Sequence, residues 1–258
     1  MTVGLVVMWC AVAGLLIGSF LTVVVERVPK GESIVAPGSR CGACGLRLGP
    51  LDLVPVFSWL VLRGKCRRCR TSIGTEPLIL ELVTASLFVV IALKFEQSWA
   101  TPAFCVLSAG LVALSWIDLH TKRLPREITY VTMAIGMPLL VIDALVTDEP
   151  RRIATMLGGA AIALAFMALV YVGSRGGLGD GDVRLSPLLG AYLGWLGLGY
   201  VPVGLFLGFL FGSIVGVAAM ALGKAGRKTA VPFGPFLAAG TLVAVFVGRS
   251  VIDVIWRT

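Results

Sequence analysis

Residues 3–25 read VGLVVMWCAVAGLLIGSFLTVVV, 23 residues without a charged side chain. A helix needs about 20 such residues to cross the hydrocarbon core of a bilayer. A secretory leader has an apolar stretch of only about 7–15 residues behind a basic start. This run is longer and has no basic residue ahead of it. It predicts a retained transmembrane helix, not a cleaved signal.

The same texture continues along the chain. The 258 residues are 57% hydrophobic and 14% charged, with a mean hydropathy of +0.95. Soluble proteins average about 45–50% apolar and about 25% charged. The apolar excess is spread throughout, which excludes a soluble domain on one anchor. The expected fold is an all-α, polytopic membrane bundle of about eight helices. The spans fall near 3–25, 78–94, 101–118, 128–147, 153–173, 186–201, 202–222 and 232–253, the sixth being short for a span.

The net charge of +8 could suggest nucleic acid, but its distribution points to the bilayer. Of the 22 Lys and Arg, nine lie in 26–77, three in 119–127, two in 174–185 and three in 223–231. Those four loops share one side of the membrane. The other side carries Lys94, Arg151, Arg152, Arg249 and Arg257. The positive-inside rule puts the basic loops in the cytoplasm and both termini outside.

The 26–77 loop is the one sizeable extramembrane piece. It holds Cys41-x-x-Cys44 and Cys66-x-x-Cys69. Two such pairs in one loop form a four-thiolate zinc pattern, each pair chelating from a tight turn. Lys65, Arg67, Arg68 and Arg70 lie beside the second pair and would favour thiolate. Four protein ligands leave no open position, so the zinc is structural rather than catalytic. A cytoplasmic loop does not favour disulfides. Cys10 and Cys105 lie in apolar spans and read as small core residues.

Acids in or beside membrane spans are costly and are functional candidates. Asp143 and Asp253 fall near external helix ends, where solvation is easy. Glu81 lies near the start of the second span, where an acid suits the helix dipole or a basic partner in the large loop. Asp118 ends the third span, and the glycine-rich loop 174–185 carries Asp180 and Asp182. The assigned topology brings both stretches to the cytoplasmic face. Two carboxylates sharing a site share a proton: the ionised one activates water and the protonated one polarises a carbonyl. Glycines at 179 and 181 let a backbone come close. His120, the single histidine, reads as a solvated side chain. On residues alone, aspartyl proteolysis leads. Its rivals are a proton-coupled transporter using the same acids and a zinc-bearing membrane scaffold without enzymatic activity.

Several ordered stretches then resemble one family, the type 4 prepilin peptidases. They are GSFLTVVVERVP at 18–29, SRCGACG, VPVFSWLVLRGKCRRC, EPLILELVTASLF, IDLHTKRLP at 117–125 and GDGDVRLSPLLGAYLGW at 179–195. The resemblance implies Asp118 as the first catalytic acid. For the second, two G-x-G-D matches overlap, and only the one ending at Asp182 is followed by Val183-Arg184-Leu185, like the family's V-K-L. Asp182 is therefore the second acid. Gly179 and Gly181 open the backbone to substrate, and Asp180 is a bystander or tuner. The implied substrates are prepilins and pseudopilins, whose basic leaders stay in the cytoplasm while their apolar stems lie in the lipid bilayer. The implied location is the bacterial inner membrane. Residues 1–100 would form a methyltransferase part using S-adenosylmethionine, and 101–258 the peptidase part. A peptidase without methylation is the narrower alternative.

Overall fold

The computed structural model describes residues 2–174, 177–223 and 232–255. Arg175 and Gly176, the basic loop from Lys224 to Val231, and Arg257 lie outside the described residues. Among the described residues the chain is helical and has no strand. The helices are α1 (Val3–Arg27), α2 (Phe57–Leu62), α3 (Glu76–Phe95), α4 (Ala100–Thr121), α5 (Arg126–Val146), α6 (Arg151–Gly173), α7 (Asp180–Leu196), α8 (Tyr200–Ala221) and α9 (Gly234–Ile255). All but α2 and α7 are long and apolar enough to cross a membrane, which makes seven candidate spans. The sixth expected span differs most from its expectation. It runs as α7 over 17 residues, starting six residues earlier than 186 and ending before the Gly197 turn.

The chain divides into two compact units, Met1–Thr101 and Pro102–Thr258. In the first, α1 and α3 pack antiparallel through bare backbone. A Cβ on Gly14 would stand 2.6 Å from Ala85 Cα, and one on Gly18 would stand 2.5 Å from Glu81 Cα. Glycines four apart share a helix face. In lipid, where burying apolar surface gains nothing, such a small-residue seam lets two helices touch closely. The opposite face of α1 exposes Met8, Trp9, Val12, Leu16 and Phe20, apolar side chains suited to acyl chains.

The second unit repeats the device twice. Gly159 of α6 meets Gly190 and Gly194 of α7, and Gly240 of α9 meets Gly204 and Gly208 of α8. Helix α7 sits among α5, α6, α8 and α9. Its Tyr192, wholly buried, donates a hydrogen bond to the Ala103 carbonyl of α4 at 3.0 Å. A Cβ at Gly136 of α5 would collide with that hydroxyl. Pro187 inside α7 removes the N–H that would bond the Val183 carbonyl. The Ser186 hydroxyl donates to that carbonyl instead, at 2.8 Å.

Asp143 departs from its expected solvated role. It is 2% exposed, with the Arg152 guanidinium 3.9 Å away. That guanidinium also pairs with Glu149 and lies 4.5 Å from the Trp195 ring centroid. A buried carboxylate held by a stacked arginine closes the α5–α6 turn. Asp253 is exposed, as its position suggested.

Candidate active site

Asp118 lies on the last turn of α4 and Asp182 on the first turn of α7, each 5% exposed. Asp182 is therefore a helical residue and not part of a loop. The reason is local. Gly179 is the N-cap, with φ −73° and ψ 144°, and Asp182 is the third residue of the helix. An acid there reaches back to the N-cap amide and satisfies one orphan donor. The Gly179 backbone amide does bond the Asp182 carboxylate.

The helix also separates the two neighbouring aspartates. Residues two apart lie about 200° apart around a helix. Asp182 turns inward, and Asp180 turns outward to pair with Arg184 at 2.7 Å. That pair is well exposed, so it contributes little to stability. Asp182 and Asp118 lie within electrostatic reach of one another. Buried like charges at short range resist double ionisation.

The hydrogen bonds of the two acids differ. Asp118 Oδ2 accepts the backbone N–H of Gly234, the first residue of α9, at 2.9 Å. Asp182 Oδ1 is buried and has no hydrogen-bond partner among the described residues. Leu124 fills the space between the two helix starts. A Cβ on Gly181 would stand 2.9 Å from Leu124 Cβ, and one on Gly234 would stand 3.0 Å from Leu124 Cδ2. Gly181 thus faces Leu124, while Gly179 faces the Asp182 carboxylate. His120 is exposed, its ring 5.2 Å from that of Trp116 and its Nδ1 2.8 Å from the Trp116 carbonyl. Gly234 was not among the sequence candidates. The local signal was there, a glycine before a proline at a helix start, in Phe233-Gly234-Pro235.

The four loop cysteines converge in the first unit. Their sulfurs all lie within 4.8 Å of one another, with Cys41 to Cys69 at 3.7 Å and Cys44 to Cys66 at 3.9 Å. The two turns share one geometry. The Gly45 amide donates to the Cys41 carbonyl at 2.9 Å, and the Arg70 amide donates to the Cys66 carbonyl at 3.0 Å. Gly45 has φ +69° and Arg70 has φ +61°, the same left-handed conformation. Thr71, through its hydroxyl and then its amide, holds the Cys69 thiol down at about 6. The Cys44 and Ala43 amides lower that of Cys41. Hydrogen bonds therefore favour thiolate at Cys41 and Cys69, while burial and the neighbouring thiols push Cys44 up to about 11.

Glu81 is 5% exposed and accepts the Val56 amide at 2.7 Å. Its partner is a backbone donor in the large loop rather than a basic side chain. Val56 has φ +59°, an unfavourable conformation for a β-branched residue.

Comparison with known proteins assigns the chain to a family. The bacterial peptidase A24 N-terminal domain matches residues 12–95, and the type IV leader peptidase family matches residues 105–221. A prepilin leader peptidase/N-methyltransferase of Bacillus subtilis strain 168 is 32% identical, over 93% of this chain and 94% of the relative. The chain belongs to the type IV leader peptidase family. Another relative with the same name, from Aeromonas salmonicida strain A449, is 31% identical over 92% of this chain and 89% of its own. One from Myxococcus xanthus strain DK1622 is 38% identical over 84% of this chain and 64% of its own. No solved structure matches the chain. The leader peptidase match covers Asp118 and Asp182, and the N-terminal match covers all four clustered cysteines.

Proposed function

We propose that this chain is a membrane aspartyl endopeptidase that removes the basic leader of type IV prepilins and pseudopilins. Asp118 and Asp182 act together, and the new N-terminus is then methylated by the first unit. The observation that carries the reading is the pair of buried carboxylates from α4 and α7 within reach of each other's charge. Between them the pair holds one proton. The ionised member takes a proton from water while the water oxygen attacks the scissile carbonyl carbon. The protonated member gives its proton to the carbonyl oxygen. The tetrahedral intermediate collapses and the C–N bond breaks: the leaving amine takes the proton that came from water, and the re-forming carbonyl returns its proton to the other carboxylate. Gly179 and Gly181 let the first turn of α7 pack closely, Gly181 on Leu124 and Gly179 against the Asp182 carboxylate, rather than opening the backbone to substrate.

The active site faces the cytoplasm of the bacterial inner membrane. Asp118 lies near the end of its span and Asp182 at the start of its helix. The basic loops support that face as cytoplasmic. A prepilin's cationic leader stays on that side too, so its cleavage point meets the acids at the membrane edge. A transporter would use acids in broken helices near the bilayer midplane, and these two lie at helix ends.

The four cysteines fit structural zinc. Zinc–sulfur bonds of about 2.3 Å set tetrahedral sulfur–sulfur edges of ~3.8 Å, and two of the pairs stand at 3.7 and 3.9 Å. Cys41, Cys44, Cys66 and Cys69 would hold the ion, whose role is to fix the loop. S-adenosylmethionine is the co-substrate that supplies the methyl group. The neutral amine takes that methyl as its bond to sulfur breaks, S-adenosylhomocysteine leaves, and the amine loses a proton.

Co-expression with a prepilin, read by intact-mass spectrometry, tests the reading. A product shortened by the leader and heavier by one methylene is expected. An uncut prepilin would refute the peptidase, and a cut but unmodified one would leave peptidase activity alone.

A further inference from the structure

The catalytic reading accounts for α4 and α7 but leaves a third element at the site. The start of α9 delivers the Gly234 amide to Asp118 Oδ2, and Gly234 lies beyond the residues matched to the leader peptidase family. Resting on the aspartyl protease reading above, we propose that the Gly234 amide positions Asp118 as the charged, water-activating member of the pair.

Three observations carry the proposal. First, the hydrogen bonds are unequal. Each carboxylate takes one backbone amide, Asp118 from Gly234 at the head of α9 and Asp182 from Gly179, but Asp182 keeps a buried oxygen, Oδ1, without a partner among the described residues. A donor to a carboxylate favours its charged form, and an oxygen lacking a donor is the natural seat of a shared proton. Second, the donor belongs to a helix N-terminus. The first amides of a helix have no intrahelical acceptor, and the dipole there favours negative charge. The bond thus satisfies both partners, 116 residues apart in sequence. Third, the fit is tight. A Cβ at 234 would stand 2.9 Å from Asp118 Oδ2 and 3.0 Å from Leu124 Cδ2. Leu124, half-buried, also packs against Gly181. Leu124 therefore sets the separation of the α7 and α9 starts, and with it the position of Asp118 opposite Asp182.

Gly234→Ala keeps the amide but pushes the carboxylate aside. Gly234→Pro also removes the donor, at a first-turn position where proline suits a helix. Both full-length variants are purified in detergent beside wild type and Asp118→Asn, and cleavage of a purified prepilin is followed at several substrate concentrations. A hydrogen bond to a charged group corresponds to about 10- to 100-fold in rate. The expected result is a kcat loss of about that size in Gly234→Ala and a larger one in Gly234→Pro. KM should change by less than about threefold, and melting temperature should stay at the wild-type value. If Gly234→Pro matches the wild-type kcat while Asp118→Asn is inactive, the inference fails and the protease reading stands. A loss carried by KM, or one tracking a lowered melting temperature in both variants, also overturns it. If wild type leaves prepilin uncut, or Asp118→Asn cuts normally, the protease reading itself fails.

Discussion

Each aspartate has a distinct environment, and each environment makes its own prediction. Asp118→Asn and Asp182→Asn should each reduce leader cleavage to background while the protein still inserts in the membrane. Asp180→Asn should retain most activity, because Asp180 faces outward in an exposed pair with Arg184. Cleavage that survives Asp182→Asn but is lost in Asp180→Asn would reverse the assignment. Glu81 acts on the other unit. Removing its carboxylate leaves the Val56 amide unsatisfied, a cost of about 1–3 kcal/mol on a loop residue already at φ +59°. Glu81→Ala should therefore weaken methylation and spare cleavage, as read from the masses of the two products. Normal methylation would remove Glu81 from the account.

At the scale of elements, two devices recur: the cysteine turn and the glycine seam. The turns are alike except that one places glycine, and the other arginine, at the left-handed position. A non-glycine residue there costs roughly 1 kcal/mol. Arg70→Gly should therefore make zinc release to a chelator slower, and Gly45→Arg should make it faster. Unchanged release in both would contradict the shared turn geometry. Zinc content itself should be one ion per chain, lost when Cys41 and Cys66 become Ser. These turns were legible because the Cys-x-x-Cys spacing is dictated locally. The seams were not read, since glycines at 14 and 18 carry meaning only once Ala85 and Glu81 lie against them. The sixth span was misplaced for a related reason. Hydropathy marks where apolar residues begin, whereas the helix begins at its cap, Gly179, ahead of three charged residues, Asp180, Asp182 and Arg184.

For the whole molecule, the sequence carried the class and the meeting of two acids, and missed what tertiary packing alone creates. Hydropathy showed the membrane character because lipid demands long apolar helices. It brought Asp118 and Asp182 to one face because the basic loops assign sides. It could not show Gly234 on Asp118, a bond across most of the second unit, nor Arg152 reaching the buried Asp143. The most direct measurement of the central claim is intact-mass spectrometry of a prepilin co-expressed with wild type, Asp118→Asn or Asp182→Asn. The account predicts a leader-less, singly methylated pilin with wild type and full-length prepilin with either variant. Leader removal persisting in both variants would contradict it.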